Sequence, residues 1–252
     1  MNTVDSSPFY DVYVQDEIAI LLIKDKVFDF ITDVQMSDRL IDFIRQIDHN
    51  PDIKAFVYLN DRESFTEENY ERFIKRILKN DHVGRDCDPP SYAERNVRFR
   101  EINVLNNIIK TIAGLQKLVI AGLNGTIVTP FFGASLVADF RYASEDAVFS
   151  MIHNKYGLHP SGGLPFFLSS YLHHSKALEI QMTDRFDVNH AKELGLITKI
   201  LPLENFMEQL IQEVRDFTGI KYCSLRDTKR LTNFYRKSLA DYFDFEAELL
   251  NL

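Results

Sequence analysis

Three arginines at Arg95, Arg98 and Arg100, with Arg85 nearby, are the side chains best suited to meet phosphate groups, since a guanidinium matches phosphate by paired hydrogen bonds. The same spacing also describes a solvated helix face. Glu67 and Glu68 could supply carboxylates to a pocket, but they sit in the run TEENYER, which reads equally as an exposed helix start with acids at its positive end. His159, His173, His174 and His190 lack the spacing of a metal site, so no metal is expected. Ser161, before Gly162-Gly163, does not form a Gly-x-Ser-x-Gly elbow, and no Walker-type phosphate loop occurs. Cys87 and Cys223 stand apart without ligand or disulfide spacing.

The elements that would position these groups follow from hydropathy. Glu17 to Ile23 is an apolar run of strand length, Met36 to Ile47 carries apolar residues at helical spacing, and Ile53 to Leu59 is again a strand. Strand, helix and strand on short turns make a βαβ unit and favour a parallel sheet. Thr66 to Leu78 has a helical stripe, Asn80 to Pro90 reads as a loop open to movement, and Tyr92 to Ala113 predicts a long helix. Leu118 to Ala121 predicts a strand. Ile127 to Val137 suits a buried helix with Pro130 near its start, because proline is tolerated only in a first turn. Phe140 to Ala143 and Ala147 to Phe149 fit strands. Helices are expected around Leu164 to Tyr171, Ser175 to Gln181 and Val188 to Leu194, then a strand over Ile197 to Leu201. Amphipathic helices from Leu203 to Phe217 and from Leu225 to Leu249 complete the chain.

The 252 residues are 45% hydrophobic and 26% charged, enough apolar material for one large or two small domains. A net charge of -8 argues against non-specific attraction to nucleic acid or an anionic membrane. The first residues have neither a basic nor an apolar leader segment, and no window is apolar enough to span a bilayer, so a cytoplasmic location is expected.

The segment KLVIAGLNGTIVTPFFGASLVAD (Lys117 to Asp139), continued by FRYASEDAVFSMIHNKYGLHPSGG to Gly163, resembles the central signature of the crotonase, or enoyl-CoA hydratase/isomerase, superfamily. Ala191-Lys192-Glu193-Leu194-Gly195-Leu196 and the following Ile197 to Pro202 add a last piece in the family's order. The resemblance implies an α/β fold, a spiral of ββα-like units over 1–202, followed by a C-terminal helical trimerisation region over 203–252. It further implies a homotrimer or pair of trimers that takes a coenzyme A thioester, with no separate cofactor. Two backbone N–H groups in such proteins hold the thioester oxygen as charge develops on it.

Carried over residue by residue, the first of these donors falls at Asn69, preceded by Glu68 where a glycine is usual, and the second at Pro130, which has no N–H. The two glutamates of the family fall at Gly133 and His153. Glycine cannot move a proton, whereas an imidazole can. Thr129 and Phe131 flank the altered donor. Phe28 and Phe30 stand where the family has Arg-Pro and Asn-Ala-Leu elements, and with Phe131 and Phe132 they could fill the acyl space or simply enlarge the core.

Two functions stay open at this point. One is an acyl-CoA-binding protein without two-glutamate hydratase activity, either free-standing or assembled with an active homologue. The other is an acyl-CoA-processing enzyme of isomerase, decarboxylase or hydrolase type with His153 as proton carrier; the stretch Lys155-Tyr156-Gly157 is similar to that of decarboxylating relatives.

Overall fold

A computed structural model of the chain describes residues 2–78 and 91–249. The expected loop over 80–90, with Arg85 and Cys87, lies outside the described residues. Among the described residues, no helix is long and apolar enough to cross a membrane.

The strands are β1 (Asn2–Ser6), β2 (Tyr10–Gln15), β3 (Ile18–Ile23), β4 (Ala55–Asn60), β5 (Leu118–Leu123), β6 (Thr126–Val128), β7 (Phe140–Ser144), β8 (Val148–Ser150), β9 (Arg185–Asp187) and β10 (Lys199–Leu201). Seven of them form one sheet in the order β1-β2-β3-β4-β5-β7-β10, parallel from β3 onward, while β6, β8 and β9 form a second, smaller sheet. The central strands IAILLI, AFVYLN and LVIAGL are almost continuously apolar because helices cover both faces of the sheet.

The helices are α1 (Val27–Phe30), α2 (Val34–His49), α3 (Glu67–Ile77), α4 (Arg95–Gly114), α5 (Phe131–Ser135), α6 (Leu164–Tyr171), α7 (His174–Met182), α8 (Val188–Glu193), α9 (Phe206–Thr218), α10 (Tyr222–Thr232) and α11 (Leu239–Leu249). Asp33 caps α2, accepting from the Met36 N–H at 3.1 Å, and Thr66 caps α3. Two spiral turns lay one strand in the large sheet and the next in the small one before a helix returns: β5, β6 and α5, then β7, β8 and α6. This is the expected ββα spiral. Leu210, Ile211 and Val214 of α9 cover one face of the sheet, and α2, α4 and α5 pack on the other.

Three local expectations are corrected. The polar lead forms β1 and β2, whose alternating burial leaves little apolar signal. The predicted buried helix over 127–137 is cut short: Ile127 and Val128 pair with Phe149 and Ser150 in the small sheet, and α5 starts only after the cis Thr129-Pro130 peptide. The final long helix is broken by a 3-10 turn over Asn233–Ser238, where the Asn233 amide donates to Asp139 at 3.2 Å and Arg236 turns inward.

Candidate functional site

The positions brought over from the resemblance lie where β4 leads into α3 and β6 leads into α5. Asn69 lies in the first turn of α3, and its N–H is committed to the Thr66 hydroxyl at 3.3 Å. Its carboxamide is committed too, donating to the Glu63 carbonyl at 2.7 Å and accepting from Arg72 at 3.1 Å. Glu68 points into solvent and pairs with Arg72 at 2.9 Å. Pro130 caps α5 without an N–H to offer, and its carbonyl accepts from Ala134 at 3.0 Å. Neither half of an oxyanion hole is therefore presented by free backbone N–H groups at these two positions.

Gly133 is enclosed by backbone. A Cβ added there would lie 2.7 Å from the Gly162 carbonyl oxygen, 2.9 Å from the Leu164 nitrogen and 2.9 Å from the Ser161 carbonyl oxygen. Gly162, at φ +71°, uses the left-handed region open to glycine, and a Cβ on it would collide with the Pro130 carbonyl. The turn over 161–164 thus occupies the space a glutamate at 133 would need.

Phe131 closes the opposite side. It stacks on Phe65 with centroids 4.2 Å apart and meets Phe28 edge-on at 5.1 Å; Phe28 in turn stacks on Phe73 at 5.3 Å. Phe132 turns away to Phe149 and Phe186, while Phe30, packed with Phe9 and Tyr10, lines the inner side of this region with Phe131, so three of the expected four fill it. The internal space left beside Phe131 is about 60 Å³, well below the roughly 300 Å³ at which ligand pockets begin. Outside the aromatic wall, a surface cleft of about 410 Å³ runs between α1 and α3, lined by Asp25, Lys26, Asp29, Asn69, Arg72 and Arg76 over Phe28 and Phe73. Arg76 sits over the Phe73 ring at 5.4 Å and pairs with Asp29 at 3.4 Å.

His153 is 2% exposed, on a 3-10 turn over Ile152–Tyr156. Its Nδ1 lies 3.2 Å from Thr129 Oγ1, whose own proton is donated to the Ser150 carbonyl at 3.2 Å. In the tautomer that donates from Nδ1, Nε2 carries a lone pair, and Nε2 has no partner among the described residues. Burial, with His159 and the Arg98 guanidinium adding to it, pushes the His153 pKa down to about 4, so the ring is neutral at neutral pH.

Around it lies a buried polar cluster. Arg98 and Glu101 of α4 form an ion pair, 2% and 1% exposed in their side chains, and the guanidinium influences His153, His159, Tyr70 and Glu246. Burial opposes the charge on Arg98, but Glu101 and the Tyr92 and Tyr70 hydroxyls together outweigh it and hold the pKa above the ordinary value. Glu246 of α11 is 2% exposed, and burial pushes its carboxyl up to about 7. The Glu246 carboxyl is met by the Tyr242 hydroxyl and the Gly163 backbone, whereas Arg98 Nε and His159 Nε2 are buried without a hydrogen-bond partner among the described residues. Such groups normally have a partner in the protein, a water or a ligand.

Arg98 corrects the sequence expectation: it contacts neither a phosphate-facing surface nor solvent, while Arg95 and Arg100 are exposed. Glu101, His159 and Glu246 were missed as site residues. The available signal was the stripe of α4, where Arg98 and Glu101 share a face with Ile102, Leu105 and Ile109; a charge on a buried stripe marks a buried pair. Among the described residues, no group of three or more His, Cys, Asp and Glu side chains is arranged to hold a metal.

The ββα spiral and its C-terminal helices define a crotonase-fold protein. Residues 95–251 match the Enoyl-CoA hydratase/isomerase family model, and the chain belongs to that family. A peroxisomal Delta(3,5)-Delta(2,4)-dienoyl-CoA isomerase of Arabidopsis thaliana is 25% identical over 179 residues, 71% of this chain and 63% of the isomerase. The chain spans less than two thirds of the length of the curated relatives it matches. Among solved structures, a variant of HypX from Aquifex aeolicus superposes with a TM-score of 0.78 at 18% identity, covering 99% of this chain and 43% of HypX. Enoyl-CoA hydratase from Bacillus halodurans gives 0.70 at 18% identity, covering 96% of this chain and 92% of the hydratase. These structures share the fold.

Proposed function

We propose that the chain binds a coenzyme A thioester without hydrating it by the two-glutamate route. The observation that carries this reading is the backbone packed on Gly133, which leaves no room for the first carboxylate. The committed Asn69 N–H and the imino nitrogen of Pro130 support it, since losing one oxyanion donor typically costs about 10²–10³ in rate. The cleft with Lys26, Arg72 and Arg76 offers cations for phosphates beside the Asp25 and Asp29 carboxylates, and Phe28 in its wall, backed by Phe131, restricts the acyl group to a short one. Assembly as a trimer or pair of trimers, or with an active homologue, belongs to the same proposal. So does a cytoplasmic site of action, although the relatives include peroxisomal and mitochondrial proteins.

A second reading, an acyl-CoA-processing enzyme with His153 as proton carrier, is favoured by one observation: His153 Nε2 and the polar groups around Arg98 are buried without partners. The test is calorimetric titration with crotonyl-CoA and free coenzyme A, followed by a turnover screen. Binding of both compounds without turnover is the expected result. No binding of either overturns the proposal, and turnover that is lost in His153→Ala establishes the enzyme.

A further inference from the structure

A second pocket, of about 520 Å³, opens at the other end of the parallel strands, where β5 and β7 begin at Leu118 and Phe140 and the segment from α9 to the 3-10 turn lies across them. Its volume is that of a small-molecule site. Two arginines line it, Arg141 and Arg236, at 6% and 9% exposure. Arg141 donates from Nε to the Leu196 carbonyl at 2.5 Å and from Nη1 to the Ala138 carbonyl at 2.8 Å. Among the described residues, Arg236 hydrogen-bonds to phenols, the Tyr235 hydroxyl at 3.2 Å and the Tyr171 hydroxyl at 3.5 Å, lies over the Phe167 ring at 5.8 Å, and leaves its Nη1 buried with no partner. Among the described residues, neither guanidinium has a carboxylate within ion-pair distance.

One carboxylate lies in the lining, Asp139, and it is fully committed. It pairs with Lys229 at 2.8 Å and accepts from the Val119 N–H at 2.8 Å and from Asn233 at 3.2 Å. The pocket therefore holds three cations against one anion in a chain whose net charge is -8. Burying a charge without a counter-charge costs several kcal/mol in general, so buried cations are normally paired. The rest of the wall is apolar: Phe140 stacks on Phe217 at 4.7 Å, and Ile220 and Leu225 extend that surface to the rim.

We propose that this pocket binds an amphiphilic anion, its carboxylate or phosphate head group held by Arg141 and Arg236 and its apolar body laid on Phe140, Phe217, Ile220 and Leu225. The site is separate from the cleft between α1 and α3 and does not depend on the coenzyme A reading.

Calorimetric titration of the full chain with decanoate, decyl phosphate and decan-1-ol, below their aggregation concentrations, tests it. At least one of the two anions is expected to bind tenfold or more tightly than the alcohol, and which one binds distinguishes a carboxylate from a phosphate ligand. Arg236→Gln should weaken that binding at least tenfold. Should Arg236→Gln fail to fold, Ile220→Trp at the half-exposed rim serves instead: it should fill the pocket and abolish binding, with the melting temperature and crotonyl-CoA titration unchanged. Equal binding of the alcohol, binding that survives both substitutions, or no binding of either anion overturns the proposal. Absence of binding because a second copy covers the pocket, as shown by an oligomer in light scattering, overturns it equally.

Discussion

Gly133 of α5 and Gly162 of the following turn are packed backbone to backbone, so that a single added Cβ on Gly133 would come within 2.7 Å of the Gly162 carbonyl oxygen. Overpacking of this kind costs typically about 1–3 kcal/mol, and here the obstructing atoms are backbone that cannot rotate away. Gly133→Ala is expected to lower the melting temperature markedly. Gly157→Ala is the comparison: nothing lies within 4 Å of its added Cβ, and it bears only the strain of φ +60°. Gly133→Glu should not gain hydration of crotonyl-CoA in a spectrophotometric assay; a soluble, folded variant that hydrates would refute the account of the lost carboxylate.

The Arg98–Glu101 pair gives a sharper energetic test. Both side chains are buried, so removing one leaves the other as an uncompensated charge, a loss of about 3–5 kcal/mol. Arg98→Met and Glu101→Leu should each be strongly destabilised in urea unfolding. The double variant is expected to recover most of the loss, because the apolar replacements can be about as stable as the pair they replace. Additive losses would mean that the two residues act independently.

Phe131 makes the acyl space and the core one question. Phe131→Ala removes the ring stacked on Phe65 and should cost about 3–5 kcal/mol in urea unfolding, while opening space behind Phe28, in the wall of the proposed coenzyme A cleft. Titration with longer acyl-CoA thioesters should then show a gain in affinity absent from the unsubstituted chain. A variant whose affinity does not depend on acyl length would place the acyl group elsewhere.

Much of the fold could be read from the residues because long apolar runs and stripes dictate it. Strand β4 and helices α2, α3 and α4 fall where hydropathy puts them, and Thr66 and Asp33 cap as their types suggest. Short elements escaped for physical reasons: β9 has three residues, and β1 is held by pairing with β2 rather than by apolar content. At the site, motif order located Pro130, Gly133 and His153, but not how the turn over 161–164 closes on Gly133. The polar cluster needs Arg98, His153 and Glu246, residues far apart in the chain and on elements whose packing no local pattern reports.

His153 should make the protein acid-sensitive. Its pKa lies near 4 in the folded chain and near roughly 6.5 unfolded, so the unfolded state binds more protons between those values. Stability from this group is complete above about pH 6.5 and is lost as pH falls through 4, a change of about 3 kcal/mol. His159, also pushed down by burial, acts in the same direction. His153→Gln keeps a hydrogen-bonding group beside Thr129 without a titration. Its melting temperature relative to the unsubstituted chain should rise as pH is lowered from 7 to 4; parallel curves would show that His153 keeps its ordinary pKa.

Glu246 carries the opposite dependence. Burial raises its carboxyl from the ordinary 4.5 to about 7, so the folded chain holds a proton that the unfolded chain releases. The stability this represents is complete below about pH 4.5 and lost as pH rises through 7, again about 3 kcal/mol. The Tyr242 hydroxyl, Arg98 and the Gly163 backbone favour the ionised form and Glu101 opposes it, so the balance depends in part on the ion pair staying intact. Between pH 4.5 and 6.5 the His153 and Glu246 terms oppose each other. Glu246→Gln should therefore steepen the rise of melting temperature with pH there, since His153 and His159 are then unopposed. Glu246→Gln removes the cost of ionising a buried acid, and its advantage should grow from pH 4.5 to 8. At about 2–4 °C per kcal/mol for a chain of this size, the two variants should diverge by an amount a standard melt resolves. An advantage of Glu246→Gln that stays constant with pH would mean that the carboxyl ionises at its ordinary pKa, and that α11 leaves it open to water.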